Sequence, residues 1–362
     1  MVAVQAEVMN EKKLRKFIHL SWVLKAFQNK YSLLIICFCF SSKLQAQIDT
    51  LPYKVFKDKI VLHTDIGFSA APFSIQYPFS GDVDKLKYRD NFRPIVGLGF
   101  CYKWLALRLA FSLPTSFRAV SRYGSTKQFN LGFDFTVKKT FIDVDLRSYF
   151  GYAIKNAKEW NDTLSDLNPN DIRPNTNAVS FSLNAWYFHD HNFKMSALRG
   201  KTAHYTKEVH TWYLKNIFNV FGVGISAGSN NVIPDELQDT TATKTGASVF
   251  SAVEFGVVPG YAYVNKVKNW QFSGLLGLGA VIQSKYYNTD GNVRGFLGLA
   301  PRYDIRLIGG YSVDRYFVML ITDFDNKSIR FTDLEYQQYF YSVRISAGIR
   351  LHSKKDKEKK QR

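Results

Sequence analysis

The chain has 362 residues, 48 Lys and Arg against 30 Asp and Glu, and 16% aromatic residues, with 30 Phe and 21 Tyr. A hydrophobic fraction of 46% supports a buried core and excludes a disordered chain, and a mean hydropathy of −0.18 excludes a bundle of membrane helices. The net charge of +18 is half terminal: residues 1–46 hold seven basic and two acidic residues, and residues 353–362 hold six and two. No basic helix or recognition motif gathers the rest, so no nucleic-acid partner is expected.

From the N-terminus, Lys30 precedes an apolar run from Tyr31 to Phe40, and Ser41, Ser42 and Ala46 follow. A basic flank, about ten apolar residues and a small terminal residue read as a secretory signal peptide, cleaved after Ala46. The run is too short to span a bilayer as a helix, which takes about 20 residues. Residues 1–29 read as a start placed too early, with an amphipathic membrane-surface helix as the alternative. Cys37 follows two Ile where lipidation needs small residues, so no lipid anchor is expected. Cleavage leaves Cys101 alone, which excludes an intramolecular disulfide and a cysteine-rich metal site. The expected organisation is a leader over 1–46, a barrel over 47–352 and a basic periplasmic tail over 353–362.

The mature part alternates with period two. Val96, Leu98, Phe100 and Tyr102 oppose Gly97, Gly99, Cys101 and Lys103; Leu105, Leu107, Leu109 and Phe111 oppose Ala106, Arg108 and Ala110. Phe129, Leu131, Phe133 and Phe135 share one face, Lys138 and Lys139 mark a turn, and Ile142, Val144 and Leu146 continue on the next strand. The pattern returns at Val179–Tyr187, Val253–Tyr261, Tyr303–Leu307 and Val343–Leu351. Strands of about 9–13 residues match the length that crosses a bilayer, and the polar face is built of small residues and Asp–Arg pairs. Aromatics are expected to mark the strand ends: Tyr102, Trp104, Phe141, Tyr152, Tyr187, Tyr261, Tyr263, Trp270, Tyr311, Tyr316, Tyr339 and Tyr341. The expected fold is all-β, a closed antiparallel up-and-down transmembrane β-barrel with periplasmic termini. About thirteen segments are visible, so twelve strands is the first choice and fourteen the second. Residues 197–220 are ambiguous between one long strand and a tight hairpin. Short turns are expected near 102–104, 138–140, 189–192, 265–269 and 311–315. Long external loops are expected near 71–92, 156–175, 229–246 and 323–338.

The run Phe100-Cys101-Tyr102-Lys103-Trp104-Leu105-Ala106-Leu107, then Ser112-Leu113-Pro114, then Tyr123-Gly124-Ser125-Thr126-Lys127-Gln128-Phe129-Asn130-Leu131, resembles domain of unknown function 4421. Ser226-Ala227-Gly228-Ser229 with Val232-Ile233-Pro234, and Pro259-Gly260-Tyr261-Ala262-Tyr263, are similar. The resemblance covers about 55–351 and implies an exported, uncharacterised Bacteroidota protein of the outer membrane. It supplies no activity and no site residues.

Gly224-Ile225-Ser226-Ala227-Gly228 matches the nucleophile elbow of serine hydrolases, yet it ends a strand and meets no helix, so it reads as coincidence. His189-Asp190-His191 reads as a solvated turn, and no metal or cofactor is expected. His204, Glu208 and His210 share a face. They carry the alternative reading, an outer-membrane lipid hydrolase or deacylase whose serine comes from another strand. A soluble periplasmic β-sandwich binding module is the third reading. The main candidates are lumen-facing charges: Arg108, Asp134, Asp143, Asp145 and Arg147 on three consecutive strands, then Glu254, Arg302, Asp304, Arg306, Arg344 and Arg350. Charges inside a barrel are costly unless paired or wet. Paired, they make an occluded structural barrel; wet, they line a narrow pore for small solutes. Neighbouring Asp and Arg favour pairing. The expected partners are the outer-membrane bilayer, the barrel-assembly machinery and, for a pore, small solutes. No catalytic residue is assigned.

Overall fold

Alternating residues with β-branched and aromatic side chains turn into strands through most of the computed structural model, which describes residues 51–351 apart from 57, 80–82, 138, 227–230 and 290. The leader with its cleavage site and the tail from Ser353 lie outside the described residues. In chain order the strands are β1 (Tyr53–Val55), β2 (Ile60–Ala70), β3 (Phe73–Gln76), β4 (Lys85–Arg89), β5 (Pro94–Tyr102), β6 (Leu105–Ser112), β7 (Lys127–Val137), β8 (Thr140–Ile154), β9 (Asp171–Phe188), β10 (Ala203–Tyr205), β11 (Val209–Ile225), β12 (Val249–Val267), β13 (Trp270–Thr289), β14 (Asn292–Ser312), β15 (Tyr316–Arg330) and β16 (Glu335–Leu351). Two single-turn helices interrupt them, α1 (Val120–Tyr123) and α2 (Met195–Leu198).

Twelve strands form a ring in the order β2, β5, β6, β7, β8, β9, β11, β12, β13, β14, β15, β16, with every neighbour antiparallel. The seam joins the first and last ring strands, with Ile66 opposite Ile345. A single closed ring excludes the two packed sheets of a sandwich. Two lower hairpins turn on two residues, and Lys103 and Lys268 take the left-handed backbone that such turns need, at φ 53°.

The outer face is apolar. Leu98, Leu276 and Leu278 are each more than 60% exposed, and Leu62, Ile66, Leu107, Phe255, Leu307 and Ile345 join them. A band of this kind is stable against lipid, and closure pairs the ladder amides except above Ile305–Phe324, where β14 and β15 part. Trp104, Trp212, Trp270 and Tyr316 are exposed together at the lower end, where both described termini lie.

The wall is of uneven height. β5, β6 and β7 hold 9, 8 and 11 residues, whereas β12, β13 and β14 hold 19, 20 and 21, beyond the 9–13 expected. Above the short side, the β3–β4 hairpin bridges the gap: β3 pairs with Glu335–Gln338 of β16, and β4 pairs with Ala153 and Ile154 of β8.

Four expectations need correction. Asp323–Gln338 is not a long loop, because β15 runs to Arg330 and β16 starts at Glu335; the alternation simply overshoots the apolar band. The connection at His189 is not short, since 189–208 carries α2 and β10 into the barrel. Residues 197–220 are therefore neither a single strand nor a tight hairpin: β10 leaves the wall to pair with β1, and β11 starts only at Val209. Phe141 and Tyr152 are buried inside and belong to no girdle; Phe141 shares the inward parity of Asp143, and a register shift at Phe150–Tyr152 turns Tyr152 inward.

Candidate functional site

The lumen is filled in three layers. At the lower end, α2, β10 and β1 pack against Cys101, Trp186, Tyr213, Phe317 and Met319 of the wall. At the upper end, Phe73, Ile75, Val232, Ile233 and Leu237 from the connections pack against Tyr149, Phe221, Phe250 and Tyr336. The charges lie between these apolar clusters. Glycines in the wall make room for large inward groups: Gly260 and Gly277 face the Tyr213 ring, and Gly99 faces the His63 ring, where a Cβ would clash.

Asp134 on β7 and Asp143 on β8 are direct register partners, an arrangement that repels unless a cation is shared. Arg199, just after α2, supplies it, with Nη1 2.8 Å from Asp134 Oδ2 and Nη2 2.8 Å from Asp143 Oδ2. Lys201 Nζ stands 3.7 Å from Asp134. Across the lumen, Asp323 lies 2.5 Å from Arg306 and 2.7 Å from Arg344. Arg344 also reaches Asp65 at 4.0 Å. Arg108 pairs with Asp65 and donates to Asn130 at 2.8 Å; Asn130 donates to Asp145 at 3.0 Å. Asp145 pairs with Arg147, whose guanidinium sits 3.6 Å from the Phe340 ring centroid. Five carboxylates and six cations thus line one cavity of about 60 Å³.

The remaining expected charges form three clusters. Arg302 and Glu254 are a fully buried pair, and Asn219 and Gln283 donate to Glu254 at 2.6 and 3.1 Å. Asp304 accepts from Lys215 at 3.0 Å, Tyr213 at 2.8 Å and Trp186 at 3.1 Å. Arg350 meets no carboxylate at ion-pair distance among the described residues. It donates to the Lys201 carbonyl at 2.8 Å, to the Gly200 carbonyl and to Ser312 Oγ at 2.9 Å, tying the lower segment to the wall.

All eleven expected residues therefore face inward, and ten are ion-paired. Sequence reasoning missed Asp65, Lys215 and Asp323, which inward parity on β2, β11 and β15 marks out. It also missed Arg199 and Lys201, which lie in irregular chain and carry no periodic signal.

The histidines divide. His204 Nδ1 lies 3.5 Å from Ser312 Oγ, and its Nε2 lies 3.9 Å from Asp314. Burial, then the Arg350 charge, lowers the His204 pKa to about 4. Ser312 is 1% exposed and its Oγ is held by Arg350, so this serine is closed to a lipid substrate. His210 faces outward beside Tyr261, with ring centroids 6.0 Å apart. His189 stacks on Trp212 at 4.7 Å. No group of three or more metal-ligating His, Cys, Asp or Glu occurs among the described residues. Ser226 lies just past the end of β11 and accepts from Asn177; the rest of the motif, residues 227 and 228, lies outside the described residues.

The family model described as Domain of unknown function (DUF4421) matches residues 47–350. The chain belongs to the DUF4421 family. A comparison with curated proteins returns no match. Among solved structures, the DUF4421 barrel is similar to the outer membrane protease OmpT from Escherichia coli, at 9% identity and a TM-score of 0.38, covering 84% of this chain and 100% of that one. It is also similar to an outer membrane channel from Pseudomonas putida F1, at 10% identity and a TM-score of 0.34, with coverage of 84% and 100%. The translocator domain of the autotransporter NalP from Neisseria meningitidis follows at 9% identity and a TM-score of 0.29, with coverage of 91% and 98%. Likenesses of this size transfer no activity.

Proposed function

We propose that this DUF4421 chain is an outer-membrane β-barrel with a sealed lumen and a structural role, not a standing open pore. The observation that carries this reading is the layered lumen, in which a belt of paired charges lies between two apolar clusters. An open pore needs wet charges, whereas these face one another across 2.5–4.0 Å. The exposed apolar wall supports membrane insertion, and the family match starting at Gln47 supports cleavage after Ala46. Short lower turns and the lower aromatic set support periplasmic termini and a periplasmic basic tail. Bilayer lipid and the barrel-assembly machinery are then the partners, and small solutes pass only if both apolar layers open.

The test is fractionation followed by gel mobility with and without boiling, then planar-bilayer recording. A detergent-requiring, heat-modifiable protein with no steady conductance is expected. A soluble periplasmic protein refutes the barrel reading, and a steady conductance from the parent chain refutes the seal. The hydrolase reading rests on His204 or His210; replacing both together is expected to leave any measured lipid turnover unchanged.

A further inference from the structure

The charge belt does not balance. Five carboxylates meet six cations around the central cavity, and the ion pairs sort them into three sets. Arg147 balances Asp145. Arg199 and Lys201 balance Asp134 and Asp143. The third set is a chain, Arg108–Asp65–Arg344–Asp323–Arg306, that begins and ends on a guanidinium. Three arginines share two carboxylates, and one positive charge is left over. The inward charges nearby do not absorb it. Asp304 pairs with Lys215, Glu254 pairs with Arg302, and Asp325 lies by Lys327.

The surplus is well inside the protein. The side chains of Arg108 and Arg344 are 14% exposed and that of Arg306 is 12% exposed, between the two apolar clusters. A buried charge without a counter-charge is strongly destabilising. Arg306 holds Asp323 through Nε at 2.5 Å, but its Nη1 is buried and meets no acceptor among the described residues. All three arginines border the cavity of about 60 Å³. A water needs about 10–15 Å³ on the same measure, so an ion little larger than water fits there with waters beside it.

We propose that the lumen binds one small monovalent anion of the halide class, seated in this cavity against Arg108, Arg306 and Arg344. Charge chooses the class. A monovalent ion brings the belt to neutrality, whereas a sulfate or phosphate dianion overshoots and leaves a buried negative charge instead. The guanidinium N–H groups supply the donors. The proposal rests on the sealed-lumen reading above, because an open lumen would screen the surplus with water and salt.

The test uses the full chain in detergent, with heat-modifiability confirmed first. Unfolding midpoints are read from the gel-mobility shift in sodium chloride, sodium bromide and sodium gluconate at equal concentration. With halide at about five times its dissociation constant, the midpoint is expected to rise by about 2–4 °C over gluconate. Arg306→Gln removes the surplus charge and leaves Asp323 on Arg344. Ser342→Asp adds the missing carboxylate beside Arg344, which already donates to Ser342 Oγ at 3.0 Å. Each variant is expected to unfold at one temperature in all three salts. Crystals grown in bromide are expected to show an anomalous peak in the cavity beside Arg306. Equal midpoints in the parent chain, a halide effect that survives either substitution, or a cavity without bromide overturns the site. A steady conductance refutes the seal instead, and absence of heat-modifiability refutes the barrel, so the failures are separable.

Discussion

Arg199→Ala is expected to release the lower segment from the lumen while leaving the wall closed. Arg199 neutralises two carboxylates that oppose each other in register, each 2.8 Å from its guanidinium, with side chains 8%, 14% and 15% exposed for Arg199, Asp134 and Asp143. Removing one partner from a buried charge cluster costs about 3–5 kcal/mol. Lys201, at 3.7 Å from Asp134, recovers part of that, so the lower end of the range applies. About 3 kcal/mol shifts the docked-to-released ratio by about a hundredfold. Cys101 is the reporter: it is fully buried beneath the segment and is the one cysteine of the chain after Ala46. Maleimide labelling of Cys101 is expected to accelerate by about that factor while the unboiled gel mobility stays that of the closed barrel. Asp134→Asn/Asp143→Asn in the same background is expected to restore protection, because the repulsion goes with the charges. Unchanged labelling in Arg199→Ala, or no restoration in the triple variant, refutes the anchor role.

Glu254→Gln leaves Arg302 charged and unpaired in a fully buried site, and is expected to lower barrel stability by about 3–5 kcal/mol in urea unfolding; Glu254→Gln/Arg302→Met should recover most of it. Gly99→Ala places a methyl against the His63 ring and is expected to cost about 1–3 kcal/mol, relieved by His63→Ala. His204 has a folded pKa of about 4 against 6.5 unfolded, so its contribution is present above pH 6.5 and lost as pH falls toward 4. Cys101 labelling should accelerate over that window, and His204→Gln should flatten the profile. Asp90, in the connection before β5, is pushed up to about 6 by burial. The folded chain then holds its proton more tightly than the unfolded one, so stability falls as pH rises from about 4 to 6 and stays reduced above. Asp90→Asn should remove that slope in thermal unfolding curves.

The strand parity was legible because a one-residue slip would turn every apolar side chain into the lumen. That is why Arg108, Asp134, Asp145, Glu254 and Arg344 could be placed inside from alternation alone. Asp65 and Asp323 obey the same parity; Asp323 falls in the stretch 323–338, whose polar residues read as a loop. The lower segment is a different case. Met195, Ala197, Leu198 and Arg199 have no period of their own; their burial depends on fitting a lumen that only the assembled ring creates. Pairing of the charges was inferable from composition, but the partners were not, since Asp323 bridges Arg306 and Arg344 from strands on either side of its own.

The seam of the ring has a consequence for how the chain is delivered. Ile66 pairs with Ile345, and β3 and β2 share β16 as a neighbour. A chain emerging from its N-terminal end therefore holds two bare strand edges until β16 has arrived. Local zippering between sequence neighbours cannot cover them, and contacts this distant in sequence form slowly. The order of synthesis thus sets a waiting time. Through that time the β2 edge stays open to pairing until β16 closes on it.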